Sequence, residues 1–357
     1  MSSKSILIVG PFSPPITGVS FANDVLYDNL VGYKKNKVNF SFPELKENLG
    51  TFSFRKVLKY ILVYRTLWKL FKVDILYITP GQTFFGILKY SPFILLAKIL
   101  EREIVLHVHG NYLGTEFKNL KGIKKKIFKL LISFSDKGIV LSQSLRGNLT
   151  PFIDDSKIFE LPNFVDSNLF GSDSKETEEL KLLYMSNLME EKGINEFLEA
   201  LSILKNKGVN YSAKIAGQID LLNKERLLAI IKDLEDNVEY LGVVKGNEKR
   251  NLLWESNIFV FPTYYKMEGQ PISILEAMAT GNIILTCEHA GIPDIFKPGV
   301  NGFYIEKKSS ESIANQIEEI YNNLPMNSNM INFNIDTTQK EYTIERFING
   351  FTRIINY

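Results

Sequence analysis

The chain has 357 residues and one cysteine, Cys287. An intrachain disulfide is excluded, and a reducing compartment is indicated. The three histidines and the lone cysteine form no cluster with zinc spacing. No strict Asp-x-Asp occurs, so no motif marks a divalent-cation site. The dinucleotide fingerprint, the P-loop and the Gly-x-Ser-x-Gly elbow are also missing, which leaves three large enzyme classes without their signatures. The longest apolar stretches, such as residues 93–100, fall well short of the roughly 20 residues a membrane helix needs. The first ten residues hold a short apolar run without a cleavage site after it, and read as a strand rather than a signal peptide. A cytoplasmic protein is expected. Low-complexity tracts and solenoid repeats are absent.

The composition is that of a globular protein, and the length suits two domains rather than one core. The near-neutral balance hides an asymmetry. Residues 1–165 hold 23 Lys+Arg against 12 Asp+Glu, and the remainder holds 19 against 28. A basic front half faces anionic partners, such as lipid or a phosphorylated acceptor. Short apolar runs alternate with helical patterns throughout. Strands are predicted over residues 5–10, 38–42, 75–79, 104–107 and 138–141. After a break near residue 163 they resume over 182–185, 213–216, 238–241, 258–261, 283–285 and 303–305. Such alternation predicts parallel sheets with helices on both faces. Between the first two strands of the second set, Ile194, Phe197, Leu198 and Leu201 make one buried helical stripe. Residues 172–179 are polar and read as a surface connection, and residues 342–355 read as a last helix.

The densest chemistry lies in Glu268-Gly269-Gln270-Pro271-Ile272-Ser273-Ile274-Leu275-Glu276-Ala277-Met278-Ala279-Thr280-Gly281. An apolar strand precedes this phrase, and Pro271 reads as the first turn of a helix. The leading amides of that helix suit a phosphate. Glu276, a carboxylate in an apolar helix, requires a hydroxyl, a donor or a cation. Three more segments end predicted strands. They are Gly10-Pro11-Phe12-Ser13-Pro14-Pro15-Ile16-Thr17-Gly18, Val108-His109-Gly110-Asn111, and Ser186-Asn187-Leu188-Met189-Glu190-Glu191-Lys192-Gly193. In open α/β sheets ligands gather at such ends. His107 lies two residues before His109 and should point to the same side. Two stretches, residues 54–72 and 121–129, mix apolar helical residues with lysine and arginine. They read either as helices docking on an anionic leaflet or as ordinary core-facing helices with solvated charges. RNA binding has no recognition motif behind it.

The Glu268…Glu276 phrase, with Gly291-Ile292-Pro293-Asp294 beyond it, resembles the Glu-x7-Glu signature of retaining glycosyltransferases of family 4. Leu161-Pro162-Asn163-Phe164-Val165-Asp166 is similar to the segment joining that family's two domains. The resemblance covers nearly the whole chain and implies a GT-B fold, α/β, with two Rossmann-like doubly wound domains facing a central cleft. Residues 1–163 would bind the acceptor and residues 164–339 the nucleotide-sugar, with a C-terminal helix over about 340–357 packing back on the first domain. The resemblance further implies catalytic roles for Glu268, His109 and Lys192. It places Gly18, Asn187, Lys192, Gly217, Glu268, Gly269, Gln270, Pro271, Ile272 and Glu276 around the donor, with Val243 and Val244 near its base. Glu276 would accept from ribose hydroxyls. Asn187 departs from the family's usual arginine, which removes one cation from the diphosphate, and Val19 follows Gly18 where the family pairs glycines.

The implied reaction is retaining transfer of a sugar from a nucleotide diphosphate donor, UDP-linked by expectation, to a hydroxyl on a glycan or lipid-linked acceptor in surface-polysaccharide synthesis. No metal and no cofactor would be needed, since helix dipole and basic side chains serve the diphosphate. The resemblance leaves two alternatives open, a catalytically inactive nucleotide-sugar-binding partner and a GT-B nucleotide-sugar epimerase. Peripheral attachment at the inner face of the cytoplasmic membrane is the localisation the basic first domain suggests.

Overall fold

The computed structural model describes residues 4–41, 54–171, 175, 179–219, 223–323 and 328–357. The predicted strand residue Phe42 and most of the predicted 172–179 connection lie outside them. The chain divides into two compact units, Met1–Asn163 with Glu345–Tyr357, and Phe164–Ile344.

In the first unit six strands run parallel: β1 (Ser5–Gly10), β2 (Lys34–Asn39), β3 (Ile75–Ile78), β4 (Glu103–Val108), β5 (Lys137–Val140) and β6 (Ile158–Glu160). Their order is β2-β1-β3-β4-β5-β6. β1 and β3 are wholly buried, as near-continuous apolar runs in a sheet covered on both faces should be. β2 corrects the expectation of residues 38–42. It begins at Lys34 and reads Lys-Lys-Asn-Lys-Val-Asn, because it is an edge strand in which only Val38 is buried. β6, the opposite edge, is Ile-Phe-Glu, too short an apolar run to be read as a strand.

In the second unit the strands are β7 (Lys181–Met185), β8 (Ser212–Ala216), β9 (Val238–Gly242), β10 (Ile258–Phe261), β11 (Ile283–Thr286) and β12 (Gly302–Tyr304). They are again parallel, in the order β12-β11-β10-β7-β8-β9. The chain winds outward from β7 to β9, returns to the centre at β10 and winds the other way. The switch point therefore lies between β7 and β10, where such sheets open a crevice at the carboxyl ends of their strands. The stripe Ile194, Phe197, Leu198 and Leu201 sits on the helix Ile194–Asn206, and all four side chains are essentially fully buried. Each contributes about 1.5–3 kcal/mol by leaving water.

The last helix, Ile344–Asn356, buries Phe347, Phe351, Ile354 and Ile355. Phe351 meets Tyr77 of β3 edge-on with centroids 5.0 Å apart. Lys137 at the start of β5 donates to the carbonyl of Ile354 at 3.0 Å. Truncating Phe351 to Ala should cost the first unit about 3–5 kcal/mol by opening a cavity under the sheet. Denaturant unfolding followed by hydrogen exchange at β3 and β5 would register that loss, and an unchanged midpoint would mean that the helix adds no stability.

Candidate active site

The second unit places Lys192 against Glu268. The turn after β7 is a short 3-10 helix, Glu190–Lys192, closed by Gly193 at φ +81°. Gly193 is required twice. Its φ is left-handed, and a Cβ there would lie 2.4 Å from Cγ of Pro262 and 2.5 Å from the Pro262 carbonyl oxygen. The turn after β10 is thereby drawn onto the turn after β7, and the Tyr264 amide donates to the Glu191 carbonyl at 2.9 Å. The Tyr184 hydroxyl donates to the Lys192 carbonyl at 3.2 Å. With both loops fixed, Lys192 Nζ lies 2.5 Å from Glu268 Oε2. The Thr263 hydroxyl donates to the same oxygen at 3.1 Å. The ammonium also lies 5.2 Å and 5.0 Å from the ring centroids of Phe261 and Tyr265, where aromatic faces attract a cation.

Gly269, Gln270 and Pro271 are buried and lead into the helix Ile272–Ala279. Pro271 is the residue before the first turn rather than within it, since its ψ of 118° is extended and the helix begins at Ile272. This corrects the sequence expectation by one position. No side chain caps this helix; the Ile274 amide turns back to the Pro271 carbonyl at 3.3 Å, and the amides ahead of it are left for a ligand or solvent. Glu276 lies inside it, 6 % exposed, and its Oε1 accepts from Lys249 Nζ at 2.6 Å. Burial raises the pKa of this carboxyl, the Lys249 ammonium pulls it back, and Asp166 pushes it up again. Lys249, on the helix Gly246–Glu255, was not singled out from the sequence. Neither were Thr263 and Tyr265, and Tyr184 was read only as part of the strand that leads to Lys192. A lysine on an otherwise polar helix far from position 276 carries no local signal.

Gly217 follows β8 at φ +141°. A Cβ there would sit 1.7 Å from the Ser186 carbonyl oxygen, so this glycine serves the packing of the loop after β8 under the loop after β7. Asn187 in the latter loop is exposed. Val244 packs in the core, whereas Val243 is exposed.

The first unit holds the other two predicted positions. Gly18 opens the helix Gly18–Asn29, whose N-cap Thr17 forms a capping box with Ser20. The loop before it is tied down from below. Asn23 donates to the Pro11 carbonyl at 2.9 Å and to the Thr79 hydroxyl at 2.8 Å. His109 follows β4, and its ring stacks on His107 with centroids 3.9 Å apart. The Tyr77 hydroxyl meets His107 Nδ1 at 2.7 Å. Nε2 of both histidines is buried without a hydrogen-bond partner among the described residues. Burial lowers the His109 pKa to about 3. Burial and then the neighbouring His109 hold His107 well below the usual 6.5. Both rings are neutral at physiological pH.

Residues 166–336, just under half of the chain, match the family model described as glycosyl transferases group 1. Among curated proteins, the amylovoran biosynthesis glycosyltransferase AmsK of Erwinia amylovora is 32 % identical over 38 % of this chain and 34 % of its own length. The putative colanic acid biosynthesis glycosyltransferase WcaL of Salmonella typhimurium is 29 % identical over 39 % and 36 %. These alignments span about a third of each relative. Among solved structures, Anabaena HepE in complex with UDP superposes with a TM-score of 0.77 at 15 % identity, covering 99 % of both chains. Sucrose-phosphate synthase from Thermosynechococcus elongatus gives 0.75 at 14 % identity, over 99 % of this chain and 98 % of its own. The fold is GT-B. Among the described residues, no helix is long and apolar enough to cross a membrane.

Two predictions follow from the charges. A histidine with a depressed pKa binds its proton better unfolded, so stability is full above pH 6.5 and declines as pH falls toward 3. The slope approaches about 1.4 kcal/mol per pH unit for each ring. Urea unfolding at pH 7.5 and pH 5 should show it, and His107→Gln should flatten it. For Glu276 the sign is opposite. Its raised pKa favours folding below the ordinary 4.5, and that contribution is lost as pH rises through the folded value. In Lys249→Met the opposing lysine is gone, and the Glu276 carboxyl carbon should titrate at higher pH by NMR than in the unsubstituted protein.

Proposed function

We propose that this chain is a retaining glycosyltransferase of family 4 that moves a hexose-type sugar from a UDP-linked donor to a hydroxyl acceptor. The reading rests on one observation above the others. Loops from the two switch-point strands hold Lys192 on Glu268, at the approach to an uncapped helix start. Such a place suits a diphosphate, since amide groups and a lysine both favour its charge. Glu276 offers a buried carboxylate to the ribose hydroxyls. Glu268 would hydrogen-bond the sugar. The work left to the protein is to orient the acceptor hydroxyl and to stabilise the departing diphosphate. That diphosphate would take the acceptor proton on the face it leaves, which gives retention without a separate strong base. The names of the relatives, amylovoran and colanic acid glycosyltransferases, support a glycan or lipid-linked acceptor in surface-polysaccharide synthesis. The HepE complexes with UDP and UDP-glucose support the choice of nucleotide.

Calorimetry with UDP-, GDP- and ADP-sugars tests the donor. A UDP-sugar should bind selectively, and Lys192→Ala and Glu276→Ala should each weaken it about 10- to 100-fold, the worth of a hydrogen bond to a charged group. Absence of binding by the folded protein would overturn the assignment. Asn187 stands where the family has an arginine, and this favours one second reading, a partner that binds the donor without turning it over. Binding without transfer across a broad acceptor set would select that reading.

A further inference from the structure

We propose that the helical layer on one face of the first sheet is a docking surface for an anionic lipid bilayer. The inference stands on surface chemistry alone and does not rest on the reading of the reaction. The layer is contiguous. The segment Arg65–Lys72 packs on the helices Phe54–Tyr64 and Ser91–Ile99, which lead through Gly122–Ser133 to Phe84–Leu88. Its inner side chains, among them Leu70, Tyr90, Phe93, Phe128 and Leu131, join Leu76, Ile78, Leu106 and Val140 in one core.

Its outer side is unusual in two respects. Residues 59–72, 84–99 and 122–133 contain ten Lys+Arg and no Asp or Glu. A soluble helical surface ordinarily intersperses both signs. The carboxylates near its rim are Glu101, just past Ser91–Ile99, and three that are already engaged: Asp74 by the Ser5 amide and hydroxyl, Asp136 by the Ile104 amide at 2.8 Å, and Glu116 by the Phe84 amide at 2.9 Å. The same segments also carry large apolar groups in the open. Trp68 is 54 % exposed, Phe71 60 %, Ile99 76 % and Ile123 68 %, with Ile61, Leu62, Phe85, Leu95 and Leu130 exposed beside them.

Exposed apolar patches of this extent mark interaction sites. The charge selects the partner, since a second copy of so basic a face would be repelled and an anionic surface attracted. The mixture decides between anionic surfaces. A nucleic acid would use the lysines and leave the aliphatic tips in water, whereas a bilayer interface accepts both. Lysine stems lie along apolar surface with their ammonium groups among the headgroups. Lys72 already stands 5.0 Å over the Trp68 ring, and Lys124 is 6.0 Å from that of Phe85.

The test uses the full chain with vesicles of phosphatidylcholine alone and of phosphatidylcholine with phosphatidylglycerol, in a sedimentation assay at low salt and at about 0.15 M, where screening reaches the surface charges. Binding is expected to the anionic vesicles and to fall with salt. Changing Lys124, Lys126 and Lys129 together to Gln should reduce it on the order of 100-fold, from the usual worth of a basic residue at an anionic surface. The pair Trp68→Ser and Phe71→Ser should reduce it at least about tenfold. Circular dichroism and UDP binding, read on the same variants, keep misfolding distinguishable. No sedimentation with anionic vesicles at low salt would overturn the proposal. So would vesicle binding indifferent to Trp68 and Phe71, which would assign the face to soluble polyanions.

Discussion

The close approach of Gly193 to Pro262 is the constraint on which the second unit's chemistry depends. β7 and β10 are neighbours in the sheet, yet far apart in sequence. Adjacency of strands alone does not fix what their loops do. The absent Cβ at position 193 lets the turn after β7 settle on Pro262, and the Tyr264 amide then locks to the Glu191 carbonyl. Only with both loops so placed does a lysine one residue from the turn reach a carboxylate seven residues past β10. Any side chain at 193 would have to separate the loops, and Lys192 would be carried away with them.

The two carboxylates of the phrase are alike in sequence and different in setting. Glu268 shares one oxygen between an ammonium and a hydroxyl. Glu276 has a lysine as well, but burial outweighs it and the pKa rises. Each carboxylate is already neutralised within the unit. A diphosphate bound as proposed would therefore have to compete with Glu268 for Lys192, and a diol with Lys249 for Glu276. Anion binding at such a place is an exchange of partners rather than the filling of a bare positive hole. It draws on the uncapped helix start for the extra donors that make the exchange favourable.

What the sequence disclosed and what it withheld follow from the range of each interaction. The buried strands and the stripe from Ile194 to Leu201 are periodic and local, so they were legible to within a residue or two. The edge strands of the first unit were not, because β2 is lysine-rich and β6 only three residues long; their place comes from backbone pairing with β1 and β5. Lys192, Glu268 and Glu276 could be named from motif and spacing. Their pairing could not, since Lys192 reaches Glu268 and Lys249 reaches Glu276 only through the winding of the sheet, while Thr263 and Tyr184, near in sequence to the groups they bond, depend on how the loops turn. Gly217 could be picked out as a glycine after a strand, but the packing that requires it, the Ser186 carbonyl 1.7 Å from where a Cβ would be, exists only in three dimensions.

The first unit shows how a parallel sheet separates two chemistries by the alternation of its side chains. Along β3 and β4, Leu76, Ile78, Leu106 and Val108 point to the core beneath the basic layer. Tyr77 and His107 alternate with them and point to the other face, where Tyr77 meets Phe351 and His107 stacks on His109. A slip of one residue in register would exchange these sets, burying the histidine pair under the lysine-rich helices. The neutral imidazoles are thus kept from the cations by the thickness of the sheet. Their low pKa values come from desolvation first rather than from the domain's charge. The basic surface and the histidine pair can change independently, which is why a face so strongly charged is compatible with neutral rings one strand layer away.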